Sequence, residues 1–161
     1  MQLRKVAFGL LVVLSLSTLT ACGAGQNAAS RNIFKVTDGA ETDVVSENSN
    51  IKLRGFLLVA QPDGTGVIVG SIVNALAEPD QLLGISVNNV LADLTADSRA
   101  VNKDLPIIFE GDSANAKAVV PGLGLKAGVT VEISFFFEKA GVVTVNAIVR
   151  DKRDIYANIT A

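Results

Sequence analysis

The chain has 161 residues, 49% of them hydrophobic, with 14 Lys and Arg against 16 Asp and Glu. That length suits one domain behind a leader, and so mildly acidic a balance, without a basic run, excludes the usual electrostatics of a nucleic-acid binder. There is no His or Trp and only one Cys and one Met, which excludes imidazole acid–base chemistry, Ser-His-Asp and Cys-His nucleophiles and the donor sets of soft metals.

Arg4 and Lys5 precede an apolar run over residues 6–16, too short to span a bilayer. The run ends at Leu19-Thr20-Ala21-Cys22, where Leu, two small residues and the only Cys have the form of a lipobox. Residues 1–21 are therefore expected to be a lipoprotein signal peptide, cut before Cys22, whose sulfur takes a diacylglycerol. The alternative is an ordinary cleaved signal with an incidental thiol. Two acyl chains, at about 0.8 kcal/mol per buried methylene, suffice for stable anchorage. The expected location is the extracytoplasmic face of the cell membrane, with the membrane itself a partner through the lipid on Cys22. A cysteine spent on lipid leaves none for an internal disulfide. Loss of Arg4 and Lys5 leaves 12 basic against 16 acidic residues, a net charge of −4.

Residues 22–30 continue as a small polar tract without periodicity, expected to be a flexible tether spanning on the order of 15 Å. The remainder, residues 31–161, is expected to form a single domain. It reads as strands over 51–60, 67–75, 82–87, 90–94, 105–109 and 117–120, divided by Pro62-Asp63-Gly64, Glu78-Pro79-Asp80, Asn88-Asn89, Glu110-Gly111-Asp112 and Pro121-Gly122. Gly122, Gly124 and Gly128 are read as turn glycines, not a phosphate loop.

The clearest pair closes the chain. Val129, Val131, Ile133, Phe135 and Phe137 alternate with polar residues, and so do Val143, Val145, Ala147 and Val149 after the turn Glu138-Lys139-Ala140-Gly141. This is the pattern of an antiparallel hairpin with one wet face. Residues 151–161 are expected to be a loose tail in preference to an edge strand around Ile155-Tyr156. About seven to nine short strands with closely spaced turns predict an all-β, antiparallel β-sandwich.

The segment Leu125-Lys126-Ala127-Gly128-Val129-Thr130-Val131-Glu132-Ile133, followed by Phe137-Glu138-Lys139-Ala140-Gly141-Val142-Val143-Thr144-Val145, resembles the closing hairpin of the periplasmic copper chaperone A (PCuAC-like) family. Asp80-Gln81-Leu82-Leu83-Gly84-Ile85-Ser86 is similar to that family's "D-x-L-V-G-V-S" strand, and Asn74 matches an Asn that ends the preceding strand. The resemblance implies a cupredoxin-like or immunoglobulin-like sandwich. The family's copper ligands, a His and Met pair and a Met-x-His-x-Met group, fall in the two regions that here read Val90-Leu91-Ala92-Asp93-Leu94-Thr95 and Ala116-Lys117-Ala118-Val119-Val120. Neither holds a His or Met, so no ligand carries over. The chain then looks nearest to the actinobacterial LpqE-like lipoproteins, which lack the copper motif.

Asp93, Asp97, Asp104, Glu110 and Asp112 are weak candidates for an oxygen-ligated metal, although their spacing is no EF-hand loop and solvated loop charges describe them better. Phe136 falls by parity on the polar face, where it marks a partner surface or is covered by a loop or the C-terminal segment; both readings stay open. Lys52, Arg54, Arg150, Lys152 and Arg153 read as a solvated basic edge, with contact to anionic headgroups the alternative. Together these features predict a membrane-anchored, non-enzymatic binding or accessory protein of the cell envelope, with no cofactor, no resident metal and no nucleic acid, and with an envelope protein as candidate partner. The rival is a divergent copper-chaperone-like carrier using oxygen ligands.

Overall fold

The computed structural model describes residues 38–161; the expected signal peptide, Cys22 and the expected tether lie outside the described residues. The chain opens with β1 (Ala40–Ser46) and β2 (Ser49–Ala60), an antiparallel pair in the register Val44↔Ile51 and Ser46↔Ser49. Ala-Glu-Thr-Asp-Val-Val-Ser has no clean alternation and was not foreseen as a strand. It is held because the twelve-residue β2 is long enough to offer it a pairing edge.

β2 also pairs with β3 (Gly66–Asn74), and a bulge between Arg54 and Leu57 interrupts the ladder at Gly55, whose φ is 66°. Phe56 beside the bulge is fully buried. Opposite it, a Cβ on Gly70 would lie 2.6 Å from the Phe56 ring, so only glycine fits there.

β4 (Asp80–Val87) returns through Asn88-Asn89, both at positive φ (46° and 67°), into β5 (Val90–Leu91). This is the tight hairpin that the two asparagines predict. The strand expected over 90–94 does not continue past it. Ala92 turns inward and donates to the Ile85 carbonyl at 2.9 Å, after which β6 (Asp93–Ala96) crosses to the other layer. β7 (Ala100–Val101) pairs with the start of β4, and β8 (Ile107–Phe109) with β3. β9 (Ala116–Val120) receives β6, with Asp93 opposite Val119 and Ala96 opposite Ala116. β10 (Thr130–Phe137) and β11 (Val142–Asp151) form the closing hairpin.

Hydrogen bonding runs in the order β5-β4-β10-β11-β2-β3-β8-β9-β6, with β1 on β2 and β7 on β4. The result is a nearly closed sandwich. The eleven strands exceed the expected seven to nine because two- and three-residue pieces such as β5, β7 and β8 count separately. Pairing is antiparallel except between β11 and β2 and between β8 and β9.

The alternation in the closing hairpin sorts its side chains as expected, with Val131, Ile133, Phe135, Phe137, Val143, Val145, Ala147 and Val149 all buried. Val129 is the exception at 41% exposed, because it precedes β10. At the centre the Phe135 ring meets Phe56 edge-on at 4.5 Å, and Phe56 meets Phe109 at 6.0 Å.

The tail departs from expectation. After β11 the chain makes a 3-10 turn over Asp154–Tyr156, and Ile159, 9% exposed, packs on Leu57, Val59 and Val67, with Val69, Ile148 and Tyr156 beside it. The cause lies in β2, where the unbroken apolar run from Phe56 to Val59 puts hydrophobic side chains on both faces of the sheet. The outer set needs a cover, and the tail supplies it.

Two buried polar side chains lock the end of the sandwich. The Asp80 carboxylate accepts from the backbone N–H groups of Gln81, Lys139 and Ala140 at 2.7, 2.8 and 2.9 Å, which ties the β10–β11 turn to β4. Asn74 Nδ2 donates to the carbonyls of Glu78 (2.7 Å) and Val101 (3.0 Å), while its Oδ1 accepts from Leu76 N–H at 2.9 Å. Each is a side chain standing in for missing backbone partners.

Candidate functional site

Three places could carry function: the junction of the two segments matched to the copper motif, the outward face around Phe136, and the basic edge. The first is a real junction. β6 and β9 are neighbours, Thr95 faces Lys117, and a shallow cleft of about 260 Å³ beside them is lined by residues including Asp97, Glu110, Asn115 and Lys117. Its donors are hard oxygens and one ammonium, and Lys117 Nζ sits 3.8 Å from Glu110 Oε1. Asp93 is exposed at the start of β6, Asp104 lies in the loop after β7 and Asp112 in the turn after β8. Among the described residues no three His, Cys, Asp or Glu side chains group so as to hold a metal ion. Of the five acidic candidates only Asp97 and Glu110 line this cleft together.

The second place is built by register. Phe136 in β10 stands opposite Gly84 of β4 on one side and Val142 of β11 on the other, so these three positions share the outward face. The two-residue turn at Asn88-Asn89 sets Leu91 opposite Ser86 and turns it to the same face. A Cβ on Gly84 would lie 3.8 Å from Leu91 and 3.9 Å from Phe136, so the two side chains flank a shared notch. Leu91 is 66% and Val142 65% exposed, Leu83 lies exposed on the same strand as Gly84, and Phe136 is half-buried. Among the described residues the C-terminal segment packs on the opposite layer, against Leu57, Val59 and Val67, and not on this row.

Sequence reasoning singled out Phe136 alone. Leu91 was within reach, because a two-residue asparagine turn fixes which residue of the next strand points outward.

The third place is a set of ion pairs. Arg54 pairs with Asp43, Arg150 with Asp38 and Arg153 with Asp151. The hydrogen bond from Arg54 holds the Asp43 carboxyl below its ordinary pKa, and the same bond raises that of Arg54. Asp63 is also lowered, by the hydroxyl and N–H of Thr65 in its turn. Two wider clefts add no convergent set. One of about 650 Å³ includes Asp38, Arg150 and Tyr156 in its lining, and one of about 730 Å³ mixes Glu47, Glu78 and Lys139 with Leu76 and Ala77. Among the described residues no helix is long and apolar enough to cross a membrane.

No protein-family model matches the chain, and no curated protein matches it. Solved structures do. The apo PCuAC domain from PmoF1 is 22% identical with a TM-score of 0.57, over 69% of this chain and 98% of that one. The copper-bound PCuAC domain from PmoF2 is 22% identical with a TM-score of 0.56, over 69% and 97%. The apo PmoF2 PCuAC domain is 18% identical with a TM-score of 0.55, over 71% and 97%.

Proposed function

We propose that this chain, whose sandwich has the PCuAC fold, is a lipoprotein anchored through Cys22 at the extracytoplasmic face of the cell membrane and serves there as a non-enzymatic binding or accessory protein. The observation that carries the reading is the junction of β6 and β9. The fold brings together the two segments matched to the copper motif, and the side chains that arrive, Asp93, Thr95 and Lys117 among them, are not copper donors. One solved neighbour is copper-bound, and Cu⁺ selects thiolate, thioether and imidazole. This chain has no His, its only Met is Met1, and its only Cys is the proposed lipid site. Hard oxygen donors on an exposed edge would hold Cu²⁺ or Ca²⁺ only weakly, in roughly the millimolar range.

Two measurements test the two halves. Titration of the soluble domain against a chromophoric Cu⁺ chelator under anaerobic, reducing conditions is expected to leave the copper on the chelator, and stoichiometric withdrawal would overturn the non-carrier reading. Separately, Cys22→Ser is expected to appear in the medium or as uncleaved precursor. A matured Ser variant still firmly bound to membranes would overturn the anchor.

A further inference from the structure

We propose that residues 152–161 are a detachable strap, which lifts off the β2–β3 face as a unit while the sandwich stays folded and bares an apolar trough that its own Ile159 otherwise fills. The trough is built by register. Leu57 pairs with Val69 and Val59 with Val67, and the parallel match of Val149 with Leu58 brings Ile148 of β11 alongside, so three adjacent strands contribute to one outer apolar cluster. Ile159 belongs to that cluster, whereas the alternate residues Leu58, Ile68 and Val149 belong to the sandwich interior. Lifting the strap therefore uncovers the outer cluster and takes nothing from the inner one.

Little besides Ile159 holds the strap down. Among the described residues, its main-chain hydrogen bonds run from Arg153 to Asp151, from Tyr156 to Arg153, from Ala157 to Asp154 and from Ile159 to Tyr156, and none crosses to β2, β3 or β9. Its side-chain hydrogen bond to another strand is from Lys117 Nζ to Thr160 Oγ1, at a long 3.5 Å, and Arg153 pairs with Asp151 at the strap's own root. Ile155 is 83% exposed and Tyr156 half-buried, which leaves Ile159 as the one buried residue of the segment. Asp154 turns the chain at a φ of 53°, in the left-handed region that a residue with a Cβ enters at a cost. A segment with so few buried contacts and purely local backbone bonding opens well below the free energy of global unfolding. Closed, the strap occupies the trough against any other apolar segment, so it is an autoinhibitory contact whose strength is its closed-to-open ratio.

The test compares two neighbours on β3 in the purified full chain. Val67→Cys places a thiol in the trough and Ile68→Cys places one in the interior; both sites are fully buried in the closed state. Labelling by a thiol reagent under native conditions is read by peptide mass, which counts Cys22 apart. The expected result is labelling at position 67 at least about a hundredfold faster than at 68, with little dependence on denaturant at 67 and a steep one at 68. Adding Ile159→Ala should speed labelling at 67 about tenfold or more and leave the ratio of 68 to global unfolding unchanged. Equal rates at the two positions, or a rate at 67 indifferent to Ile159→Ala, would overturn the proposal. Amide hydrogen exchange on the unsubstituted chain checks it without either cysteine: the amides of Ala157 and Ile159 should exchange far faster than those of Ile133 and Val145. Strap amides as protected as those of the closing hairpin would equally overturn it.

Discussion

The two outer faces of the sandwich carry the same kind of residue and meet different fates. On the β2–β3 side, Leu57, Val59 and Val67 are buried under Ile159, with Tyr156 alongside. On the β4–β10 side, Leu91, Phe136 and Val142 lie across neighbouring strands with nothing of the described chain over them. An outer apolar patch covered by its own tail is part of the fold, and one left to water costs solubility unless something else uses it. The comparison teaches that apolar patterning alone does not separate a second core from a docking surface; the course of the covering segment does.

Mutations that should leave one face intact and damage the other break or sharpen this comparison. The largest effect belongs to the interior that both faces enclose. Phe135→Ala empties the contact with Phe56 and should cost about 3 to 5 kcal/mol in chemical denaturation, whereas Glu132→Ala on the same strand should stay within about 0.5. Equal losses at the two would mean that β10 is not sorted by parity.

Next comes the clamp that holds the β10–β11 turn beneath the open face. Asp80→Ala strands three N–H groups and should cost about 2 to 3 kcal/mol, while Asp80→Asn, which keeps an acceptor, should cost less. On the covered face, Ile159→Asp should cost about 1 to 2 kcal/mol and expose Leu57 and Val59 to hydrophobic dyes, since it removes an apolar lid at the margin of the core. Its counterpart on the open face, Leu91→Ser, should move stability by no more than about 0.5 kcal/mol. If Leu91→Ser proved as costly as Ile159→Asp, the open face would be structural.

A comparably small effect is expected at the Asp43–Arg54 pair. Because the folded carboxyl of Asp43 is lowered, its contribution is complete above the unfolded value of about 3.9 and is lost as pH falls through the folded value. Both side chains are substantially exposed, so Asp43→Asn should cost roughly 0 to 1 kcal/mol at neutral pH and nothing once the pH is well below the folded value.

The hairpin over β10 and β11 was legible in its sequence because period-two alternation is a local property, and the Asn88-Asn89 turn was legible because its residue types tolerate positive φ. The junction of β6 with β9 was not. It depends on the chain leaving β4 for β9 between Ala92, still bonded to Ile85, and Asp93, and neither residue type signals that departure. Nor did the spacing of Asp93, Asp97, Asp104, Glu110 and Asp112 say which of them meet: the pairing of β6 with β9 brings Asp97 and Glu110 to one cleft, a relation that sequence distance does not measure.

By itself the sequence determined the all-β class, the parity of the closing hairpin and the lack of any His, Met or Cys after Cys22, because each follows from residue type and spacing within a few positions. The tertiary structure alone decided that Ile159 seals the β2–β3 face, that Asp80 holds the β10–β11 turn 59 and 60 residues away, and that Phe136 is left beside Leu91 across the Gly84 notch. These contacts join strands through register and layer packing, which depend on the whole sheet order and are written into no single stretch of chain.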